Sequence, residues 1–324
     1  MSANVSVGSG SAEPDTMAPS PPEPTVTLAT IAPDLTSKPP RSPWKIALAR
    51  FRRSKLAIFG LVVIVLMVLA TIFADALAPY GENEIDLFNI TAQPSEEHLL
   101  GTDELGRDEL SRLFYGGRIS LSVGVGAALI STILGIIVGA VAGYYGGWVD
   151  TLLMRFVDLM LAFPAIFLLL ILFAMYGSSV LSVVVFLGVF SWMWLARVIR
   201  GEFMSLKARD FVEAARAIGV PDGIIIRRHL LPNVLAAIIV STTLNIAYAM
   251  LSEATLSFLG FGVPPETPTW GNMLNAARPY YVTVPLLAIA PGLTLTIAVL
   301  AINFVGDGLR DAFDPRGRGA GEGA

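Results

Sequence analysis

The sequence contains no cysteine and only two histidines, His98 and His229, in 324 residues. Structural disulfides, thiolate nucleophiles and cysteine-bound metals are therefore excluded, and so is a histidine-rich metal site. Charge is also scarce: 15% of the residues are charged, against about 25% in soluble domains, and 54% are hydrophobic. This composition argues against a soluble enzyme and favours a protein that crosses the membrane several times.

A phosphate-binding loop is missing as well. The pattern G-x-x-x-x-G-K-[ST] needs a Gly-Lys pair, and none of the four lysines follows a glycine: Lys38, Lys45, Lys55 and Lys207. We therefore predict that this chain holds no cofactor of its own and that any ATP chemistry belongs to another chain.

The first 43 residues contain no aromatic residue and are dense in proline, serine, threonine and alanine. Prolines prevent regular helices and strands, and such a stretch buries too little apolar surface to offset the entropy lost on ordering. We predict a disordered cytoplasmic tail over residues 1–43. Residues 44–55 then combine apolar and basic side chains, which predicts an amphipathic helix along the bilayer surface, or else a polar overhang of the first span.

Six long apolar segments follow, each close to the roughly 20 residues that cross about 30 Å of hydrocarbon. They cover residues 56–79, 119–146, 150–177, 178–199, 232–260 and 285–308. The sequence thus predicts an all-α integral membrane protein with six transmembrane helices.

The charges predict an orientation for these spans. Lysine and arginine are concentrated in the N-terminal region, in a loop over 200–231 and in a tail over 309–324, whereas the loop over 80–118 is acidic. Since cytoplasmic segments carry the excess of basic residues, we predict that both termini are cytoplasmic and that 80–118 is external.

Several residues inside the spans have structural consequences. Gly135, Gly139 and Gly143 share one face of the second span, which allows close contact with another helix, either in this chain or in another subunit. Pro164 in the third span and Pro291 in the sixth each remove a backbone hydrogen bond and predict kinks.

Few charged residues lie near the membrane interior. Arg155 and Asp158 are three residues apart, so we predict that they pair with each other. Glu253 lies deeper, and the sequence leaves two interpretations equally open: a pathway or gate residue, or a satisfied structural acid. The chain of ionisable groups that a proton-driven carrier needs is missing.

The loop over 200–231 contains the segment DFVEAARAIGVP at residues 210–221. Asp210 is predicted to cap a helix, and Glu213 to complete a capping box. Gly219 is predicted to end that helix with a positive φ, and Pro221 to open the next one. The pattern indicates a rigid helix–turn–helix outside the membrane.

The same segment carries a resemblance to a known family. Residues 213–215 read EAA, Gly219 follows after three intervening residues, and HLLP occupies 229–232. This spacing resembles the EAA loop of bacterial ABC-importer permeases. Ala214 and Ala215 favour a helix and present small side chains that let a partner surface approach closely.

Two further stretches are similar to the oligopeptide, dipeptide and nickel branch of that family. They are HLLGTDELGRDELSRLFYGGRISL at 98–121 and LSFLGFGVPP at 256–265. Residues 44–60 are similar to the family's N-terminal helix, so the resemblance covers most of residues 44–315 and leaves the proline-rich tail outside.

The resemblance implies a type I ABC-importer permease fold and the second permease of a pair, in a bacterial inner membrane. It implies a homologous permease partner, two cytoplasmic ATPase subunits or a fused pair that bind ATP and Mg²⁺, and an external substrate-binding protein. No nucleic acid is expected. The residues expected to couple this chain to the ATPase are Asp210, Glu213, Ala214, Ala215, Gly219 and Pro221.

In the external loop, Asp103, Arg107 and Asp108 are candidates for contact with a partner. The alternative is a surface helix on the outer leaflet, because the leucines there are spaced for one helical face. No metal is predicted, since the order D-x-[DN]-x-[DN]-G of a calcium loop is absent.

The substrate is the least determined feature. Di- or oligopeptides are the first hypothesis, because the matched branch mostly carries them, and nickel chelates, glutathione or another small solute are alternatives. A stand-alone secondary carrier or channel is the alternative from another class.

Overall fold

The computed structural model describes residues 43–314. The tail predicted over residues 1–43 therefore lies outside the described residues except at its last position, and residues 315–324 of the C-terminal tail also lie outside.

The described chain is built from helices. They are α1 Pro43–Phe51, α2 Lys55–Ile72, α3 Ala74–Leu77, α4 Glu109–Tyr145, α5 Gly147–Ala162, α6 Ala165–Tyr176, α7 Val180–Lys207, α8 Asp210–Ala217, α9 Asp222–Ile224, α10 Leu231–Phe258, α11 Trp270–Ala276 and α12 Leu286–Phe313. A π-helical turn, Ile225–Leu230, joins α9 to α10.

Five of these stretches are long and apolar enough to cross a membrane, and the bent pair α5–α6 makes six if it counts as one span. The five are Lys55–Ile72, Glu109–Tyr145, Val180–Lys207, Asp222–Phe258 and Leu286–Phe313. The all-α membrane fold expected from the sequence is confirmed, although several bounds differ. Helix α4 begins at Glu109, ten residues before the predicted start of the second span, because Asp108 caps it inside the external loop.

The third predicted span is two helices that meet at 80°. The break lies at Phe163, whose backbone is extended (φ −91°, ψ 134°), immediately before Pro164. A proline disfavours the helical conformation of the residue before it, so the kink expected at Pro164 has this cause. Helix α12 continues through Pro291 without interruption.

Helices α4 and α7 lie in close contact along the glycine face of α4. A Cβ at Gly139 would lie 2.5 Å from the Ala196 carbonyl oxygen, and one at Gly143 would lie 2.7 Å from Phe203 Cβ. Glycine at these positions removes the side chain that would separate the two backbones. Of the two interpretations, the structure therefore confirms that these glycines allow close packing of two helices of the same chain.

The predicted pair of Arg155 and Asp158 is wrong. Arg197 Nη2, on α7, donates a hydrogen bond to Asp158 Oδ1 at 2.6 Å. The packing of α5 against α7 brings Arg197 close to this carboxylate. Residue spacing along α5 alone could not predict a partner on another helix.

Candidate functional site

The segment predicted to be a cytoplasmic helix–turn–helix forms α8 and α9. Helix α8 begins one residue earlier than expected: Arg209 is the extended residue before it (φ −89°, ψ 145°), and no side chain caps it. Asp210 therefore lies in the first turn and is not the cap, so the predicted capping box with Glu213 is wrong. The two-residue connection from α7 sets this start, and both acids still interact favourably with the helix dipole.

The end of α8 follows the prediction. Gly219 has φ +79°, and no atom lies within 4 Å of a Cβ placed there. Its N–H donates to the Arg216 carbonyl at 2.9 Å, and the Val220 N–H donates to the Ala215 carbonyl at 3.0 Å. Glycine is thus required for its backbone conformation and not for lack of space. Pro221 is the extended residue immediately before α9.

Helix α8 has one buried and one exposed face. Val212 and Ala215 are buried in a cluster that includes Phe203 of α7 and Ile225 of the π-helical turn. Ala214 faces solvent instead. Beyond the helix, Ile218 is 81% exposed, although it is a large apolar side chain. Phe211 and Ile224 are also exposed, by 42% and 44%, so this segment presents three large apolar side chains.

The loop over residues 80–108, predicted to be external, is held by buried charges. Asp103 accepts hydrogen bonds from the backbone N–H groups of Leu105 and Arg107 at 2.9 and 3.0 Å. Its other oxygen accepts from Arg107 Nε at 2.7 Å and lies 3.6 Å from Arg112 Nε. Charged groups this buried are stable only when paired and hydrogen-bonded, so the cluster fixes the shape of the loop.

Asp108 connects this loop to α4. Its Oδ2 accepts hydrogen bonds from the N–H and the hydroxyl of Ser111 at 2.7 Å each, as an N-cap does. Its Oδ1 lies 3.0 Å from His98 Nδ1. A separate surface helix on the outer leaflet, the alternative for this part of the loop, does not form, because the helix that begins at Glu109 continues directly into the span.

Two acids of the loop have shifted pKa values. Hydrogen bonds from the Asn89 side chain and the Phe88 N–H hold the pKa of Asp86 below its ordinary range. Partial burial raises the pKa of Glu104.

These contacts bear on the candidate partner contacts in the loop. Asp103, Arg107 and Asp108 are 5%, 7% and 2% exposed, and their polar atoms are engaged within the loop. In this conformation they are internal supports of the loop and not part of its outer surface, where Leu87 and Phe88 are 73% and 99% exposed.

Glu253, the candidate gate residue, is fully buried. Its Oε1 accepts a hydrogen bond from Ser257 Oγ at 2.7 Å, and Ser120 and Thr269 also interact with the carboxyl group. The Trp270 N–H donates to Ser120 Oγ at 3.1 Å, so this polar group joins α4, α10 and the start of α11. Its Oε2 is buried without a hydrogen-bond partner among the described residues, so both interpretations of Glu253 stay open.

A cavity of about 500 Å³ lies where α5, α6, α7 and α10 meet, beside the bend at Phe163. Most of its lining is apolar or aromatic. The polar groups among its lining residues are Ser191, Ser241, Asn245 and Tyr248, and none of the described lining residues is charged. Sequence reasoning missed this site, because the break at Phe163 and the contact of α7 with α10 create it.

Comparisons with known proteins agree with this architecture. Residues 135–319 match the family described as "Binding-protein-dependent transport system inner membrane component". The chain belongs to this family. Residues 42–94 also match the "N-terminal TM domain of oligopeptide transport permease C".

The similar proteins with names are permeases. A putative peptide permease of Brucella suis biovar 1 is 46% identical over 269 residues, covering 82% of this chain and 89% of the relative. The glutathione transport system permease protein GsiD of Escherichia coli is 43% identical over 280 residues, covering 86% and 92%. An inward-facing structure of the MetNI methionine ABC transporter covers 62% of this chain and 96% of that chain, with 19% identity and a TM-score of 0.52, and shares the fold.

Membership of this family of binding-protein-dependent inner membrane components establishes the general role. The chain is a permease subunit of an ABC importer and not an enzyme. ATP hydrolysis takes place on a separate ATPase, a substrate-binding protein delivers the solute, and the subunit crosses the inner membrane several times.

Proposed function

We propose that this permease imports short peptides, glutathione among them, as one half of a heterodimer with a homologous permease. The relatives that are named for peptide and glutathione transport support this substrate class. The uncharged cavity supports it too, because side-chain amide and hydroxyl groups can hydrogen-bond a peptide backbone while the aromatic wall accepts apolar side chains.

Coupling to the ATPase is proposed to occur through α8 and the turn that follows it. The observation that carries this proposal is the exposed apolar side chain of Ile218, next to Gly219 at the end of a helix whose other face is buried. Since burying such a side chain contributes about 1.5–3 kcal/mol, docking there would favour association with a partner. This assignment places α8 and both termini in the cytoplasm.

The other candidate residues have supporting roles in this proposal. Asp103, Arg107 and Asp108 would hold the external loop in the shape that the substrate-binding protein meets. Glu253 would hold the start of α11 against α4 and α10 without lining the path.

Because the chain has no cysteine, a single introduced cysteine is a unique cross-linking site. In the complete importer, Ile218→Cys should cross-link to the ATPase, whereas Leu87→Cys in the external loop should not. If the ATPase cross-linked to the Leu87→Cys variant alone, both the proposed docking surface on α8 and the proposed orientation in the membrane would be wrong.

The coupling role is tested by Gly219→Pro. Proline cannot adopt φ +79° and lacks the N–H that bonds Arg216, so the end of α8 should lose its geometry. We expect the complex to assemble and substrate-stimulated ATP turnover to be abolished. Gly223→Ala is the matched control, because that glycine lies in α9 with open space at its Cβ. Unchanged stimulation in Gly219→Pro would remove Gly219 from the coupling role.

The substrate class is tested by mass spectrometry of the solute that co-purifies with the substrate-binding protein. Short peptides or glutathione are expected. A nickel chelate would favour the alternative within the same family.

A further inference from the structure

The penultimate residue of α4, Tyr144, contacts three other cytoplasmic elements. Its hydroxyl donates a hydrogen bond to Asp222 Oδ1, at the start of α9. Arg216 of α8 lies over its ring, with the guanidinium carbon 5.1 Å from the ring centroid. Lys207, the last residue of α7, places Nζ 5.6 Å from the same centroid and donates a hydrogen bond to the Tyr144 carbonyl.

The surroundings of Tyr144 are apolar and closely fitted. The side chain is 2% exposed and belongs to the same buried cluster as Phe203, Val212 and Ile225. The preceding residue, Gly143, brings α4 so close to α7 that a Cβ there would lie 2.7 Å from Phe203 Cβ. The backbone of Tyr144 is therefore held by the close packing of α4 against α7, while its ring and hydroxyl contact α8 and α9.

The two kinds of contact resist different movements. Apolar burial opposes separation of α8 from the spans but has no preferred direction, so it tolerates sliding. A hydrogen bond to a carboxylate and a cation over an aromatic ring depend on direction and distance. At Tyr144 both kinds act on one side chain, which fixes the position of α8 and α9 relative to the ends of α4 and α7.

We infer that Tyr144 is a positioning residue that transmits movement of α8 and α9 to the transmembrane helices α4 and α7. This inference deepens the proposed function and rests on it, because it requires that the ATPase acts on α8. The neighbouring Tyr145 supplies the comparison: its ring meets Tyr144 edge-on at 5.3 Å, but its side chain is 53% exposed.

The test uses the complete importer with the substrate-binding protein purified with its endogenous ligand. Tyr144→Phe removes the hydroxyl and keeps the ring, so assembly with the ATPase and the basal ATP turnover should remain unchanged. Stimulation of turnover by the loaded binding protein should fall by about tenfold, as expected for loss of a hydrogen bond to a charged group. Tyr145→Phe is the matched control and should behave as the unaltered chain.

The partner residue is tested separately, so that a folding defect in α4 cannot decide the result. Asp222→Ala, at an exposed position, should reduce stimulation as Tyr144→Phe does, and Asp222→Asn should restore most of it because an amide oxygen still accepts the bond. The combined Tyr144→Phe and Asp222→Ala variant should match either single variant, since both remove the same contact.

Two results would overturn the inference. One is full stimulation in both Tyr144→Phe and Asp222→Ala. The other is loss of ATPase co-purification in Tyr144→Phe, which would assign Tyr144 to the shape of the docking surface. A failed cross-link from Ile218→Cys would instead count against the docking of the ATPase on α8, so failure of the proposed function is distinguished from failure of this inference.

Discussion

The loop over residues 80–108, which we propose to be external, and the segment over 208–230, which we propose to be cytoplasmic, both expose large apolar side chains. Different forces support them. Beneath Phe88, the external loop is held by buried, hydrogen-bonded charges centred on Asp103. Beneath Ile218, the cytoplasmic segment is held mainly by an apolar cluster that contains Val212 and Ile225. Its directional contacts with the spans are those at Tyr144, which bonds Asp222 and lies under Arg216.

This difference has a physical meaning. Buried ion pairs and hydrogen bonds have narrow geometric optima, so the external loop has one stable shape. Apolar contacts are non-directional, so the position of α8 over the spans depends on the few directional contacts at Tyr144. A loop with one stable shape suits recognition of a delivering protein, whereas a segment joined to the spans at one side chain suits coupling to an ATPase that changes conformation.

The largest expected effect comes from breaking the external cluster. Asp103→Ala leaves Arg107 and Arg112 buried beside a missing carboxylate, which should reduce the free energy of unfolding by about 3–5 kcal/mol. Thermal unfolding of the detergent-solubilised chain measures this change. Glu96→Ala, at an exposed position of the same loop, is the control, and equal unfolding midpoints for the two variants would show that the cluster does not support the loop.

A smaller and different effect is expected at the cytoplasmic segment. Ile218→Ser should change the free energy of unfolding by less than about 0.5 kcal/mol, because the side chain is already exposed. It should weaken association with the ATPase by about 1.5–3 kcal/mol, the value of burying such a side chain. Titration of the permease complex with the purified ATPase measures the affinity. The external variant Leu87→Ser should leave it unchanged, and equal weakening by both variants would contradict the comparison.

The smallest effect is expected from an exposed ion pair on the external side. Arg118 Nη2 donates to Asp75 Oδ2 at 2.6 Å, and this hydrogen bond holds the pKa of Asp75 below its ordinary value. Because the folded-state pKa is lowered, any stabilisation is fully present above the unfolded value and is lost as pH falls through the folded value.

The difference in unfolding midpoint between the unaltered chain and Asp75→Asn should therefore be small and constant from neutral pH down to about pH 5, then vanish in stronger acid. The Asp75 side chain is 73% exposed, so its ion pair should contribute little to stability. If Asp75→Asn lowered the unfolding midpoint as much as Asp103→Ala does, exposed ion pairs would stabilise this side of the protein as strongly as buried ones.

The sequence predicted much of this structure where the signal is local. Apolar runs of sufficient length predicted the transmembrane class, Gly219 predicted the end of α8, and Pro164 predicted a kink. The EAA spacing indicated the family without any knowledge of three-dimensional contacts.

The sequence failed where distant segments meet. Asp158 pairs with Arg197 on another helix, and Tyr144 joins elements that are up to 78 positions away along the chain. The capping of α8 was misjudged by one residue, because the length of the connection from α7 determines where the helix starts. Burial of Asp103 and its neighbours was also hidden, since acidic and basic residues in a loop are usually solvated.

Helix α4 gives these separate regions a common mechanical element. It is one uninterrupted helix of 37 residues, about 55 Å long at 1.5 Å per residue. Its first turn is anchored by Asp108, its last holds Tyr144, and α7 braces it between. Because no break interrupts this helix, we expect a displacement of the loop at its first turn to move Tyr144 in its last turn, without a relay of switching side chains.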